Sequence, residues 1–204
     1  MFLSTTFNEQ KSTMRICVYC ASSSKVDKAY FEATIKLAED FANRGITLVY
    51  GGGSAGLMGC LADTILKNNG KAIGVLPRFM EKVEWGHKGL TQLTLVKDMH
   101  ERKKLLIKDV DAVVALPGGC GTLEELMEVI TLKRLGKFTK PIIILNTNGF
   151  YNHLKMLLEK MIHEHFMRSE HNEIWQFVNL PEEIISAIEN APDWDSSAIK
   201  FAAV

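Results

Sequence analysis

The residues best suited to chemistry lie in one segment, Pro117-Gly118-Gly119-Cys120-Gly121-Thr122-Leu123-Glu124-Glu125. A proline and three glycines follow an apolar run and lead into a helical pattern. Such a turn lets backbone approach an anion closely, with the free N–H groups of the first helical turn aimed at it. Two carboxylates follow at once. Thr122 and Glu125 also have the spacing of a capping box, in which hydroxyl and carboxylate satisfy backbone donors reciprocally. The two roles are compatible. The positive end of a helix favours an ionised Glu125. An anionic carboxylate beside a phosphate-binding turn suits a base, or a stabiliser of developing positive charge, better than a general acid.

A second loop, Gly51-Gly52-Gly53-Ser54-Ala55-Gly56, places G-x-G-x-x-G between a strand-like and a helical segment. Gly51, Gly52, Gly53 and Ser54 are candidate phosphate contacts; the alternative is a tight turn with close helix–strand packing. A dinucleotide site also wants an acid about 20 residues on, at the end of the next strand. That strand ends Val75-Leu76-Pro77-Arg78, which disfavours NAD or FAD. Neither loop ends in Gly-Lys-Ser/Thr, which excludes a P-loop. A mononucleotide or another phosphate ester stays open.

The run Asp98-Met99-His100-Glu101-Arg102-Lys103-Lys104 reads first as a solvated charge face. At about 100° per residue, Met99, Leu106 and Val110 form an apolar stripe, with Glu101, Lys104 and Lys108 opposite. Arg102 and Lys103 flank the stripe, where a cation must snorkel, pair or meet a bound anion. The planar fork of Arg102 suits a phosphate or carboxylate.

Other signals carry less. Cys17 and Cys20 sit on a strand-like run, where residues three apart point to opposite faces; with no second pair they read as small buried hydrophobes. His163 and His165 are two apart on a helix and do not face one another. Ser22-Ser23-Ser24 either binds a ligand at a strand end or caps the next helix. No metal site is expected.

Elements that position these residues alternate along the chain. Strand-like runs cover residues 15–20, 46–50, 71–76, 92–96, 111–116, 141–145 and 174–178. Helical patterns cover 28–44, 57–69, 99–109, 122–135, 151–165 and 181–190. Apolar strands alternating with helices predict an α/β fold: a Rossmann-like, doubly wound, mainly parallel sheet with helices on both faces. Ligands then bind beyond the carboxyl ends of the strands, near the topological switch point. The expected organisation is an N-terminal extension at 1–14, one domain at 15–191 and a loose tail at 192–204.

The 204 residues carry 24 Lys+Arg and 24 Asp+Glu, so there is no basic excess to attract nucleic acid. No apolar run approaches the roughly 18 residues that span a bilayer, and residues 1–13 lack the apolar stretch of a signal peptide. A cytoplasmic protein is expected, without a membrane or nucleic-acid partner.

Taken together, the glycine loop 51–59, the segment Met99–Lys103 and the P-G-G-x-G-T-x-x-E pattern ending on Glu125 resemble the Lonely Guy family over residues 15–166. Its members are cytokinin-activating phosphoribohydrolases, often mislabelled lysine decarboxylases. The resemblance implies a Rossmann-like homodimer with active sites near the subunit interface. It implies hydrolysis of the N-glycosidic bond of AMP or an N6-substituted AMP to free base and ribose 5-phosphate, without a cofactor. The family's essential arginine and glutamate fall on Arg102 and Glu125. Its other substrate contacts fall on Glu84, Lys103, Gly118, Gly119, Cys120, Gly121, Thr122, Leu123, Glu124 and Thr131. Two alternatives remain: a non-catalytic nucleotide carrier, and a PLP-dependent lysine decarboxylase, for which Lys103 is the only lysine in a distinctive setting.

Overall fold

The computed structural model describes residues 14–81 and 86–201. Residues 1–13, most of the expected N-terminal extension, lie outside the described residues; Met14 already accepts a hydrogen bond from Thr47 N at 2.9 Å. Seven strands form one sheet in the order β4-β3-β2-β1-β5-β6-β7, every neighbouring pair parallel. They are β1 (Arg15–Tyr19), β2 (Thr47–Tyr50), β3 (Lys71–Pro77), β4 (Gln92–Val96), β5 (Ala112–Ala115), β6 (Ile142–Leu145) and β7 (Gln176–Val178). The helices are α1 (Lys28–Asn43), α2 (Gly56–Lys67), α3 (Met99–Leu106), α4 (Cys120–Arg134), α5 (Asn152–His163) and α6 (Ile184–Glu189).

The inner strands are buried on both faces, as Val/Ile/Leu runs between two helical layers must be. Alternation along β1 divides the core. Ile16, Val18 and Cys20 join the cluster beneath α1, α2 and α6, while Cys17 and Tyr19 join the one beneath α3, α4 and α5. The two cysteines thus face opposite ways, as the strand period requires. The chain winds outward from β1 to β4, then returns through α3 to β5 on the other side of β1. The switch point therefore lies between the carboxyl ends of β1 and β5.

Two expectations need correction. The helix after the second glycine turn starts at Cys120, with Gly119 as its N-cap and no side-chain capping bond. Thr122 is its third residue, not its cap, so the Thr122–Glu125 capping box does not form. The reason is steric: a Cβ at position 118 would collide with the Thr122 hydroxyl, so Gly118 lets Thr122 fold inward and the helix begin earlier. The described part of the expected loose tail is docked. Trp194 Nε1 donates to Lys133 O at 2.6 Å, Ala198 is buried, and Ser196 backbone occupies the space beside Gly136.

Candidate active site

A cleft of about 220 Å³ opens at the switch point. Its walls come from Val18 and Tyr19 at the end of β1, Cys20–Ser23 after it, Gly51 after β2, Met58 on α2, Arg102 on α3, and Gly119, Gly121, Thr122 and Glu125 around the start of α4. The two glycine loops and the basic helix, 51 to 125 in sequence, thus meet at one place.

Arg102 reaches the cleft because Asp98 starts α3 where it does. The Asp98 carboxylate accepts from Glu101 N at 2.8 Å, an N-cap that fixes the helix phase. That phase turns Arg102 and Leu106 inward. The Arg102 side chain is only 7% exposed. Its Nε donates to Val75 O and its Nη2 to Gly51 O, each at 3.3 Å. Its Nη1 lies 3.8 Å from Glu125 Oε1. Two strand-end carbonyls thus hold the guanidinium in place against a carboxylate that is itself 11% exposed.

Glu125 stands in the second turn of α4 and faces inward with Thr122 and Val129. The missing capping box leaves its carboxylate to the arginine and the cleft. The uncapped first turn leaves backbone N–H groups for an anion. A Cβ at Gly119 or Gly121 would meet nothing within 4 Å, so protein packing does not require glycine at either position. Both line the cleft, and side chains there would fill ligand space.

The first glycine loop serves a different end. Only Gly51 of its four candidates lines the cleft. A Cβ at 51 would strike Arg102 Nη2, and its carbonyl already accepts from that group. Gly52 O accepts from His87 N at 3.0 Å, Gly53 bridges to Gly86 and accepts from the Tyr50 hydroxyl. Ser54 lines a separate cavity with Asp63 and His87. The loop therefore seats the arginine rather than wrapping the cleft.

Other candidates are spread more widely. Lys103 Nζ pairs with Glu124 Oε1 at 2.5 Å and Glu128 Oε2 at 2.6 Å, and those partners hold its pKa above the ordinary lysine value. Cys120 is exposed and Leu123 half-buried against the core; neither lines the cleft. Thr131 donates to Met127 O at 2.8 Å and borders an apolar groove between α4 and α5. Glu84 lies outside the described residues. Sequence reasoning left Ser22 and Ser23 between two roles. Asp27 caps α1 by accepting from Ala29 N at 2.9 Å, which leaves both serines on the cleft wall. It missed Tyr19 and Met58, whose only signal is position at the carboxyl end of β1 and the start of α2. It also missed Lys133, buried in the last turn of α4 and pushed down to about 8 by desolvation.

Residues 58–188 match a family model described as a possible lysine decarboxylase. The chain is 39% identical to the probable cytokinin riboside 5′-monophosphate phosphoribohydrolase LOGL2 of Oryza sativa subsp. japonica, over 88% of this chain and 74% of that protein. It is 39% identical to the cytokinin riboside 5′-monophosphate phosphoribohydrolase LOG3 of Arabidopsis thaliana, over 94% and 90%. Among solved structures, a molybdenum cofactor binding protein from Rippkaea orientalis superposes with a TM-score of 0.66 at 21% identity, over 88% of this chain and 97% of that one. That likeness is one of fold. With Arg102, Glu125 and the glycine turn gathered at one cleft, the chain belongs to the Lonely Guy family of cytokinin riboside 5′-monophosphate phosphoribohydrolases.

Proposed function

We propose that this protein hydrolyses the N-glycosidic bond of AMP or an N6-substituted, cytokinin-type AMP, releasing free base and ribose 5-phosphate. The observation that carries this reading is the Arg102–Glu125 pair, nearly buried and set beside an uncapped helix start. Backbone N–H groups of residues 119–122 hold the 5′-phosphate, with Ser22 and Ser23 facing them across the cleft. As the bond between C1′ and the base nitrogen stretches, positive charge grows on the ribose, and the Glu125 carboxylate stabilises it. Water adds to C1′; Glu125 orients it and accepts its proton, and the electron pair of the broken bond leaves with the base, whose nitrogen takes up a proton from solvent to give the neutral free base while Glu125 returns its proton to solvent. Arg102 holds Glu125 in place and contacts the nucleotide.

The decarboxylase alternative needs a lysine free to form a Schiff base. Lys103 is tied to two carboxylates and held protonated. Lys133 has the lowered pKa such chemistry wants, but it lies in the last turn of α4 beneath Trp194 and does not line the cleft. Neither lysine fits the cofactor.

The test is release of free base from AMP and from N6-isopentenyl-AMP by the purified protein. Glu125→Gln and Arg102→Ala should each lower kcat by about 10²- to 10⁴-fold, the usual worth of acid–base and charge-stabilising groups. Full activity in both variants refutes the assignment, and nucleotide binding without base release identifies a carrier instead. We further assign the protein to the cytoplasm, whose reducing conditions suit four free thiols, and to a homodimer formed across the α4–α5 groove. No helix among the described residues is long and apolar enough to cross a membrane.

A further inference from the structure

Family resemblance places Lys103 against substrate, but its ammonium is engaged elsewhere. It sits between Glu124 and Glu128 on one face of α4, at 2.5 and 2.6 Å, with four fifths of its side chain covered. These residues adjoin the catalytic pair: Lys103 follows Arg102 on α3, and Glu124 and Glu128 flank Glu125 on α4. Lys103 does not line the cleft. It borders a void of about 10 Å³ behind it, shared with Tyr19, Glu125, Glu128 and Val129. That space is at the limit for one water, so the lysine stem closes the rear of the Glu125 carboxylate.

Helix α3 needs such an anchor. It has eight residues, and only Arg102 and Leu106 among them are buried. Two turns with so little apolar surface are marginal in isolation and take their position from tertiary contacts. Leu106 fixes the far end of α3 against the core. Near Arg102 the contacts from α3 to α4 are those of Arg102 with Glu125, at 3.8 Å, and of Lys103 with Glu124 and Glu128. An exposed single ion pair contributes little, but one ammonium held between two carboxylates, hydrogen-bonded to Glu124 and ion-paired with Glu128, specifies geometry.

We infer that Lys103 is a positioning residue: with Glu124 and Glu128 it clamps α3 to α4, and so sets the separation of the Arg102 guanidinium and the Glu125 carboxylate. The inference rests on the phosphoribohydrolase reading for its kinetic effect but not for its geometry. A displacement of about 1 Å at such a pair costs on the order of 10²-fold in rate.

The experiment compares Lys103→Met, the pair Glu124→Ala with Glu128→Ala, and the triple variant. Each is assayed with AMP and N6-isopentenyl-AMP, and amide exchange is followed over Met99–Leu106. Lys103→Met should lower kcat by about 10- to 100-fold, with KM changed by less than about threefold. The glutamate pair, which leaves Lys103 in place, should reproduce that loss. The triple variant should be no worse than either, as for residues acting as one unit. Exchange over α3 should quicken alike in all three. Lys103→Arg, which keeps a cation between both carboxylates, should restore most of kcat.

A raised KM with unchanged kcat in Lys103→Met overturns the clamp in favour of direct substrate contact. So does wild-type kcat in the glutamate pair. Should Lys103→Met fail to fold, the glutamate pair carries the test alone. Should the wild type release no base, the proposed function fails, and unchanged exchange over α3 then decides against the clamp independently.

Discussion

A single missing Cβ governs the position of the Arg102 guanidinium. At Gly51 any side chain would meet Arg102 Nη2, and Met58 Sδ lies 3.2 Å from the same point. Gly51→Ala should therefore push the arginine off the Gly51 and Val75 carbonyls while leaving the sheet intact. We expect kcat to fall by about 10- to 100-fold, with a melting temperature only a few degrees lower. A Gly51→Ala enzyme with wild-type kcat/KM would show that Arg102 tolerates displacement. The G-x-G-x-x-G pattern thus has a physical cause that motif reading assigned elsewhere: its first glycine makes room for a side chain 51 residues away. Gly119 and Gly121 differ, since nothing in the protein crowds them. Their small size leaves space at the cleft.

Helix α4 does two jobs along its length. Its first turns carry the uncapped start and Glu125. Its last turn buries Lys133, whose ammonium lies 5.7 Å from the Trp194 ring centroid. Desolvation lowers this lysine from 10.5 to about 8 in the folded state. Between those values the unfolded chain binds more protons, so stability rises with pH across that window. Below about pH 8, burying the charge costs at most about 3 kcal/mol, from the size of the shift; the cation–π contact returns about 1 kcal/mol. Lys133→Met, which keeps the stem, should raise the melting temperature at pH 7. The gain should shrink as pH approaches 10. A variant less stable than wild type at pH 7 would mean that the Trp194 contact outweighs desolvation. The docked segment around Trp194 and Ala198 has no strand or helix period to announce it: Trp194 stands in the polar stretch Asp193–Ser197, and it is this tryptophan that finds a site on α4.

At the scale of the molecule, the α4–α5 groove is a continuous apolar surface left uncovered among the described residues. Met127, Ile130, Thr131, Leu157, Met161 and Phe166 border it, with Leu157 49% and Phe166 70% exposed. Helix α5 buries only Leu158 fully. In the proposed homodimer a second copy covers this groove and brings Thr131 of α4 to a subunit boundary. Light scattering should then give twice the 22.9 kDa chain mass. Leu157→Asp with Phe166→Asp should yield a monomer that keeps its fold by circular dichroism. A monomeric wild-type protein at micromolar concentration would rule the dimer out.

Much of this was readable from residue order because it depends on local periodicity. Strand–helix alternation forces a parallel sheet, and a parallel doubly wound sheet forces a strand-end cleft. The phase of the 99–109 helix set Arg102 and Lys103 beside its apolar stripe, and the glycine turn before Glu125 marked the approach to the next helix. What residue order left open depends on contacts between distant segments. Whether Thr122 caps its helix turned on space beside Gly118. That Lys103 pairs with Glu124 and Glu128 turned on how α3 lies against α4. That the first glycine loop seats Arg102 turned on which side chain fills the space at Gly51. Periodicity fixes the face that a residue shows; only the assembled fold decides what stands opposite it.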